Sequence, residues 1–142
     1  MEKFEEDSNK PPIDMVAFQE ILDLGEDDES FTKTMIQTYY SQADETLEEM
    51  KKALARKDLA QLFSLAYFLK DSSITLGVTK VQATCWTIHI NSQLKEDDRS
   101  GVLDKDEAVK RIGLLVERVG GEIDEAKKWF NKFYPIYVPV DD

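Results

Sequence analysis

"SLAYFLKDSSITLG", residues Ser64–Gly77, is the stretch that settles how this chain folds. Leu62, Ala66, Leu69 and Ser73 recur at intervals of three and four, which places them on one helix face, the expected core stripe. Tyr67, Lys70, Asp71 and Ile74 occupy the adjoining face, so a ring, an amine and a carboxylate stand together on an exposed strip. Asp58, with Gln61 three residues later, has the form of a capping box, which satisfies the free backbone groups of a helix start. Gly77 supplies the permissive backbone for a stop. The spacing predicts a helix over 59–76.

Working outward, Thr79 and Gln82 repeat the capping pattern at the head of a helix reaching about Leu94, and so short a link forces an antiparallel hairpin. With the turn near Val78, Tyr67 lies eleven residues before it and His89 eleven after, at the same height. A Tyr67–His89 hydrogen bond is the expected contact. In "IDMVAFQEILDLG" the spacing of Met15, Phe18, Ile21 and Leu22 predicts a short first helix from Asp14 to a stop at Gly25. A longer one starts near Ser30 and closes at Lys57 and Asp58, with Phe31, Met35, Ile36, Tyr39, Ala43, Leu47, Met50 and Leu54 as its stripe. After the charged loop "KEDDRSGVLD", Asp104 and Glu107 form a further capping box before a helix from about Lys105 to Phe133. Gly120 and Gly121 cost that helix about 1 kcal/mol each, which opens it to a kink or break. Trp86 and Trp129 are expected in the core. The predicted fold is all-α, an up-and-down four-helix bundle over 13–134 with a short additional N-terminal helix across one end. A flexible tail (1–12) and a C-terminal tail with Pro135 and Pro139 (135–142) flank it.

The chain has 142 residues, 42% of them hydrophobic, enough for one core and too few for two ordinary domains. Its net charge of −11 repels phosphate backbones and anionic headgroups, so neither nucleic acid nor a membrane is an expected partner. The start, "MEKFEEDSNKPP", is acidic where a signal peptide is basic and then apolar, and a soluble, cytoplasmic protein is expected, with the nucleus also open to it. Cys85 and His89 are single residues of their type, so no metal cluster, disulfide or Cys-His or Ser-His triad is expected, and no cofactor.

"LAYFLKDSSITLG" resembles the signature of histidine-containing phosphotransfer (HPt) domains, especially the fungal phosphorelay-intermediate type. Phe68, Leu69, Lys70, Ser72, Ser73, Leu76 and Gly77 carry the resemblance, which extends to "IDMVAFQEIL", "DDESFTKTMI", "VTKVQATC" and the final helix. It implies a four-helix bundle that relays a phosphoryl group through an exposed histidine and binds receiver domains of response regulators or hybrid histidine kinases. Two positions depart from the pattern. Tyr67 stands where the family has its phosphoacceptor histidine, and Asp71 where it has glycine. A tyrosine hydroxyl ordinarily has a pKa of about 10, so little of it is nucleophilic at neutral pH. Asp71 adds bulk and negative charge towards a receiver's acidic, magnesium-binding cluster and weakens docking, while Lys70 matches the lysine that steadies the phosphoryl group.

The resemblance further implies a docking surface of Ala17, Ile21, Leu24, Phe31 and Met35 with Glu20 at the rim, and a supporting site of Lys70, Asp71 and Ser72. The leading expectation is a degenerate, non-catalytic HPt protein, monomeric, that binds receivers in or beside a phosphorelay. Active phosphotransfer is the alternative, either through His89 as a relocated acceptor or because the chain is a variant of an active parent. A bundle repurposed for an unrelated partner, with "PIYVPVDD" as a starting point, is the third.

Overall fold

The computed structural model describes residues 12–26 and 28–133, so all of the expected tails except Pro12 lie outside the described residues. Among the described residues five helices follow one another: α1 (Met15–Leu24), α2 (Glu29–Ala55), α3 (Leu59–Leu76), α4 (Thr79–Asn91) and α5 (Lys105–Phe133). Helices α2 to α5 pack in a closed ring, α2 on α3, α3 on α4, α4 on α5 and α5 back on α2, while α1 lies against α3. This is the predicted four-helix bundle with its additional helix.

The core forms where the stripes meet. Ile36, Ala43 and Met50 from α2, Leu62, Ala66 and Leu69 from α3, Val81, Cys85 and Ile88 from α4, and Ile112, Val119 and Ile123 from α5 are buried together. Asp14 caps α1 by accepting from the Val16 amide at 2.9 Å. Phe18 then inserts edge-on between Trp129 and Phe130 of α5, at centroid distances of 5.6 and 5.2 Å.

Gly77 fixes the α3–α4 hairpin and the seat of α1 at once. Its φ of 74° is left-handed. The Gly77 amide donates to the Ile74 carbonyl at 3.0 Å and the Val78 amide to the Ser73 carbonyl at 2.9 Å, the two bonds of a Schellman motif. Its carbonyl accepts from the Asp14 amide at 2.7 Å, and a Cβ at this position would stand 2.8 Å from the Asp14 carbonyl oxygen. Only glycine meets both demands.

That motif also corrects the expected start of α4. Val78, not Thr79, is the N-cap residue, and no side chain caps the helix. The Schellman bonds bring the chain straight into α4, and the Gln82 side chain turns back to the Ser73 carbonyl at 3.4 Å. The helix ends at Asn91, short of Leu94, because the Asn91 Nδ2 donates to the Lys95 carbonyl and to Asp97 Oδ1, both at 2.9 Å, and so ties down the following loop. Of the other capping boxes, the first half forms: Asp58 accepts from the Gln61 amide at 3.0 Å and Asp104 from the Glu107 amide at 2.8 Å. The Glu107 carboxylate pairs forward with Arg111 Nε at 3.1 Å.

The long helix α5 runs unbroken through Gly120 and Gly121. Two glycines cost it about 2 kcal/mol together, whereas burying one large aliphatic chain returns about 1.5–3 kcal/mol. Val119 and Ile123 on either side are both buried, so packing decides. Gly120 lies against α2, where a Cβ would meet Leu47 at 3.5 Å.

The α4–α5 interface also buries an acid. Glu122 is held by Arg118 Nε at 3.4 Å through Oε2, while its Oε1 has no hydrogen-bond partner among the described residues. Burial pushes its carboxyl up to about 7, against the lowering effects of Thr84, Arg118 and Lys80.

Candidate functional site

Helix α3 presents the site because its core stripe leaves one strip outward. Tyr67 is 49% exposed and Ile74 equally so, with Asp71 open beside them. The Lys70 side chain is only 18% exposed, its amine lying over the neighbouring rings. Lys70 Nζ sits 3.1 Å from Asp71 Oδ1, 4.8 Å from the Tyr67 ring centre and 5.9 Å from that of Trp86. The amine is therefore held by one carboxylate and two π-faces.

Across the hairpin, His89 lies at the height of Tyr67, as the spacing predicts. Their ring centres are 5.6 Å apart and tilted by 39°. The contact is a ring contact, which corrects the expected hydrogen bond. His89 Nδ1 pairs instead with the Phe63 carbonyl oxygen at 3.3 Å. The imidazole is sandwiched, with Phe63 stacked at 4.0 Å and Trp86 at 5.3 Å, and His89 is 9% exposed.

Trp86 is a second correction. It is 38% exposed, because the core stripe of α4 runs through Val81, Cys85 and Ile88, and Trp86 stands one position beyond it. Arg99 from the following loop covers its ring, with Cζ 5.1 Å from the centre. Phe63, Trp86 and Arg99 thus belong to the site although the sequence reading assigned none of them there. Phe63 precedes Tyr67 by four residues and Trp86 precedes His89 by three, spacings that mark both neighbours. Arg99 comes from an irregular loop and carries no such signal.

Behind the strip, Ser73 Oγ donates to the Leu69 carbonyl at 2.8 Å and so accepts the Tyr39 hydroxyl at 2.7 Å. Burial drives the Tyr39 phenol well above its ordinary range, which keeps it a hydrogen-bond donor. This pair anchors α3 to α2. Ser72, by contrast, opens with Asp71 into a groove between α2 and α3.

The expected docking residues divide. Leu24 is 74% exposed, Phe31 and Glu20 are also exposed, and Ala17 and Met35 are half-buried. Ile21 is 6% exposed and belongs to the core with Phe18, because it shares the inward face of α1; as a docking contact it is corrected. Phe31 leaves the expected stripe of α2, whose buried line runs through Thr32, Ile36 and Tyr39, and lies against Gly25, where a Cβ would meet it at 2.9 Å.

Residues 34–125 match the model of the Hpt domain. The chain belongs to that family. The HPt chain is 34% identical over 128 residues to multistep phosphorelay regulator 1 of Schizosaccharomyces pombe, covering 89% of this chain and 43% of that protein. It is 41% identical over 73 residues to phosphorelay intermediate protein YPD1 of Candida albicans, covering 51% of this chain and 40% of that protein. The HPt chain thus spans less than half the length of the curated relatives it matches. Among solved structures, Saccharomyces cerevisiae Ypd1 in co-crystal with the receiver domain of its downstream response regulator Ssk1 superposes with a TM-score of 0.77. Identity there is 24%, over 89% of this chain and 97% of that one. The crystal structure of yeast YPD1 gives a TM-score of 0.78 at 22% identity, over 89% of this chain and 97% of that one. At these identities the likeness concerns the fold. Among the described residues no helix is long and apolar enough to cross a membrane.

Proposed function

We propose that this chain is a degenerate HPt protein, a non-catalytic module that binds receiver domains in or beside a two-component phosphorelay. One observation carries the reading. The outward strip of the signature helix offers Tyr67, at the position where the resemblance implies the family's histidine, while the single histidine of the chain is stacked between Phe63 and Trp86. Phosphoryl transfer requires a nucleophile aligned at about 3–3.5 Å from the reacting atom. Tyr67 has the exposure without the imidazole, and His89 has the imidazole without the exposure.

Receiver binding is supported by the relatives named as phosphorelay proteins and by exposed apolar side chains on α1, α2 and α3. Leu24 on α1, Phe31 on α2 and Phe68 on α3 stand open, Glu20 is exposed, and Ala17 and Met35 are half-buried.

The test is a titration of the full chain with a panel of receiver domains, followed by incubation with the same receivers phosphorylated. Binding weakened about tenfold by Leu24→Ala with Phe31→Ala, without any acid-labile phosphoryl group on this chain, is the expected result. Absence of binding to every receiver removes the reading. The rival through His89 has one point in its favour: a Nδ1 engaged with a carbonyl leaves the lone pair on Nε2. Acid-labile label on the native chain, lost in His89→Ala, establishes that rival. For the active-parent alternative, Tyr67→His with Asp71→Gly is expected to gain label.

A further inference from the structure

The groove between α2 and α3 has a volume of about 540 Å³, within the range that holds small ligands or single side chains. Met35 and Phe68 give it an apolar wall, and Thr38, Ser72 and Thr75 bring hydroxyls to it. Asp71 is the one charged residue among those lining it. Lys70 takes Oδ1 of that carboxylate at 3.1 Å, and Oδ2 has no partner among the described residues.

We propose that this groove receives an arginine side chain from the partner protein. The methylene stem lies on Met35 and Phe68, and the guanidinium donates to Asp71 Oδ2 and the adjoining hydroxyls. Chemistry selects this occupant. An apolar side chain would desolvate Oδ2 and the hydroxyls and pair with none of them, and an anion would face the carboxylate. A guanidinium supplies several donors in a planar fork to a wall that offers several acceptors. The net charge of −11 steers a basic surface towards this chain at long range.

The inference rests on the receiver-binding reading for the nature of the partner and adds a selection rule to it. Against a receiver that offers only its acidic cluster, Asp71 repels; against one that carries an arginine beside that cluster, it pairs. Asp71 thereby sorts receivers.

Two measurements on the full chain test this separately from receiver binding as such. Amide NMR is recorded during titration with N-acetyl-arginine methylamide and, as control, with the norleucine analogue. Shifts at Thr38, Asp71, Ser72 and Thr75 with the arginine probe alone, lost in Asp71→Asn, are expected. Equal shifts from both probes, no shifts, or shifts that survive Asp71→Asn overturn the proposal. In the receiver panel, Asp71→Asn is expected to weaken receivers bearing a docking-face arginine about tenfold and to tighten those without one, by relieving the repulsion of their acidic cluster. Equal effects on both groups overturn it as well. If no receiver binds yet the arginine probe shifts the groove in an Asp71-dependent way, the groove stands and the receiver reading falls.

Discussion

Replacing Glu122 by glutamine tests the interior of the bundle, and its effect depends on pH with a sign that burial dictates. The folded chain holds the Glu122 proton up to about 7, against an ordinary 4.5, because burial between α4 and α5 disfavours the carboxylate. Below the ordinary value both folded and unfolded states are protonated, and the group contributes no pH dependence. As pH rises from 4.5 to about 7 the unfolded chain ionises first and is favoured, so stability falls, and above that range the loss is complete. The gap between 4.5 and about 7 corresponds to about 3 kcal/mol. Glutamine keeps the shape and removes the titration. Urea unfolding followed by helical circular dichroism at pH 5 and pH 8 isolates the term as the difference between native and Glu122→Gln proteins. The variant is expected to gain about 2–3 kcal/mol on the native chain in going from pH 5 to pH 8. Equal differences at the two pH values would refute the reasoning, since they would mean that Glu122 ionises alike in both states.

Other perturbations address the elements that position the site. Gly77→Ala is expected to cost about 2 kcal/mol or more in urea unfolding, because the left-handed backbone alone costs about 1–2 kcal/mol and the new Cβ meets the Asp14 carbonyl at 2.8 Å. Ser73→Ala leaves the buried Tyr39 hydroxyl without its acceptor and is expected to cost about 1–3 kcal/mol, most of it recovered when Tyr39→Phe is added. Phe18→Ala is expected to cost about 3–5 kcal/mol and to loosen α1 from α5, so that receiver binding falls with it; unchanged amide-exchange protection in α1 would count against that role.

Much of the fold was legible in the spacing of apolar residues. The stripe Leu62, Ala66, Leu69 and Ser73 is buried as the period of 3.6 requires, and the bounds of α3 and α5 coincide with the expected ones. The helix is not broken at Gly120 and Gly121, as their propensity allowed, because propensity is a local cost of about 1 kcal/mol per residue and the flanking side chains repay it in the core. The cap at Thr79 failed for a related reason: the Schellman bonds of Gly77 and Val78 belong to the preceding helix, and a pattern match at Thr79 takes no account of them.

The site divides along the same line. Which residues share the outward strip of α3, and that His89 comes level with Tyr67, follow from helix geometry and a short turn. Their bonding does not. Whether His89 meets Tyr67 by a hydrogen bond or by its ring depends on what else reaches the imidazole, and the Phe63 carbonyl with the faces of Phe63 and Trp86 claims it first. The exposure of Trp86 and Phe31 and the burial of Ile21 each turn on a shift of one position around a helix, about 100°. Sequence by itself determined the bundle, the signature helix and the chemistry available on its face, because those are set by periodicity and residue type. Only the tertiary structure decided that the histidine is enclosed and that Asp71 opens into a groove, because enclosure depends on side chains brought together from different helices.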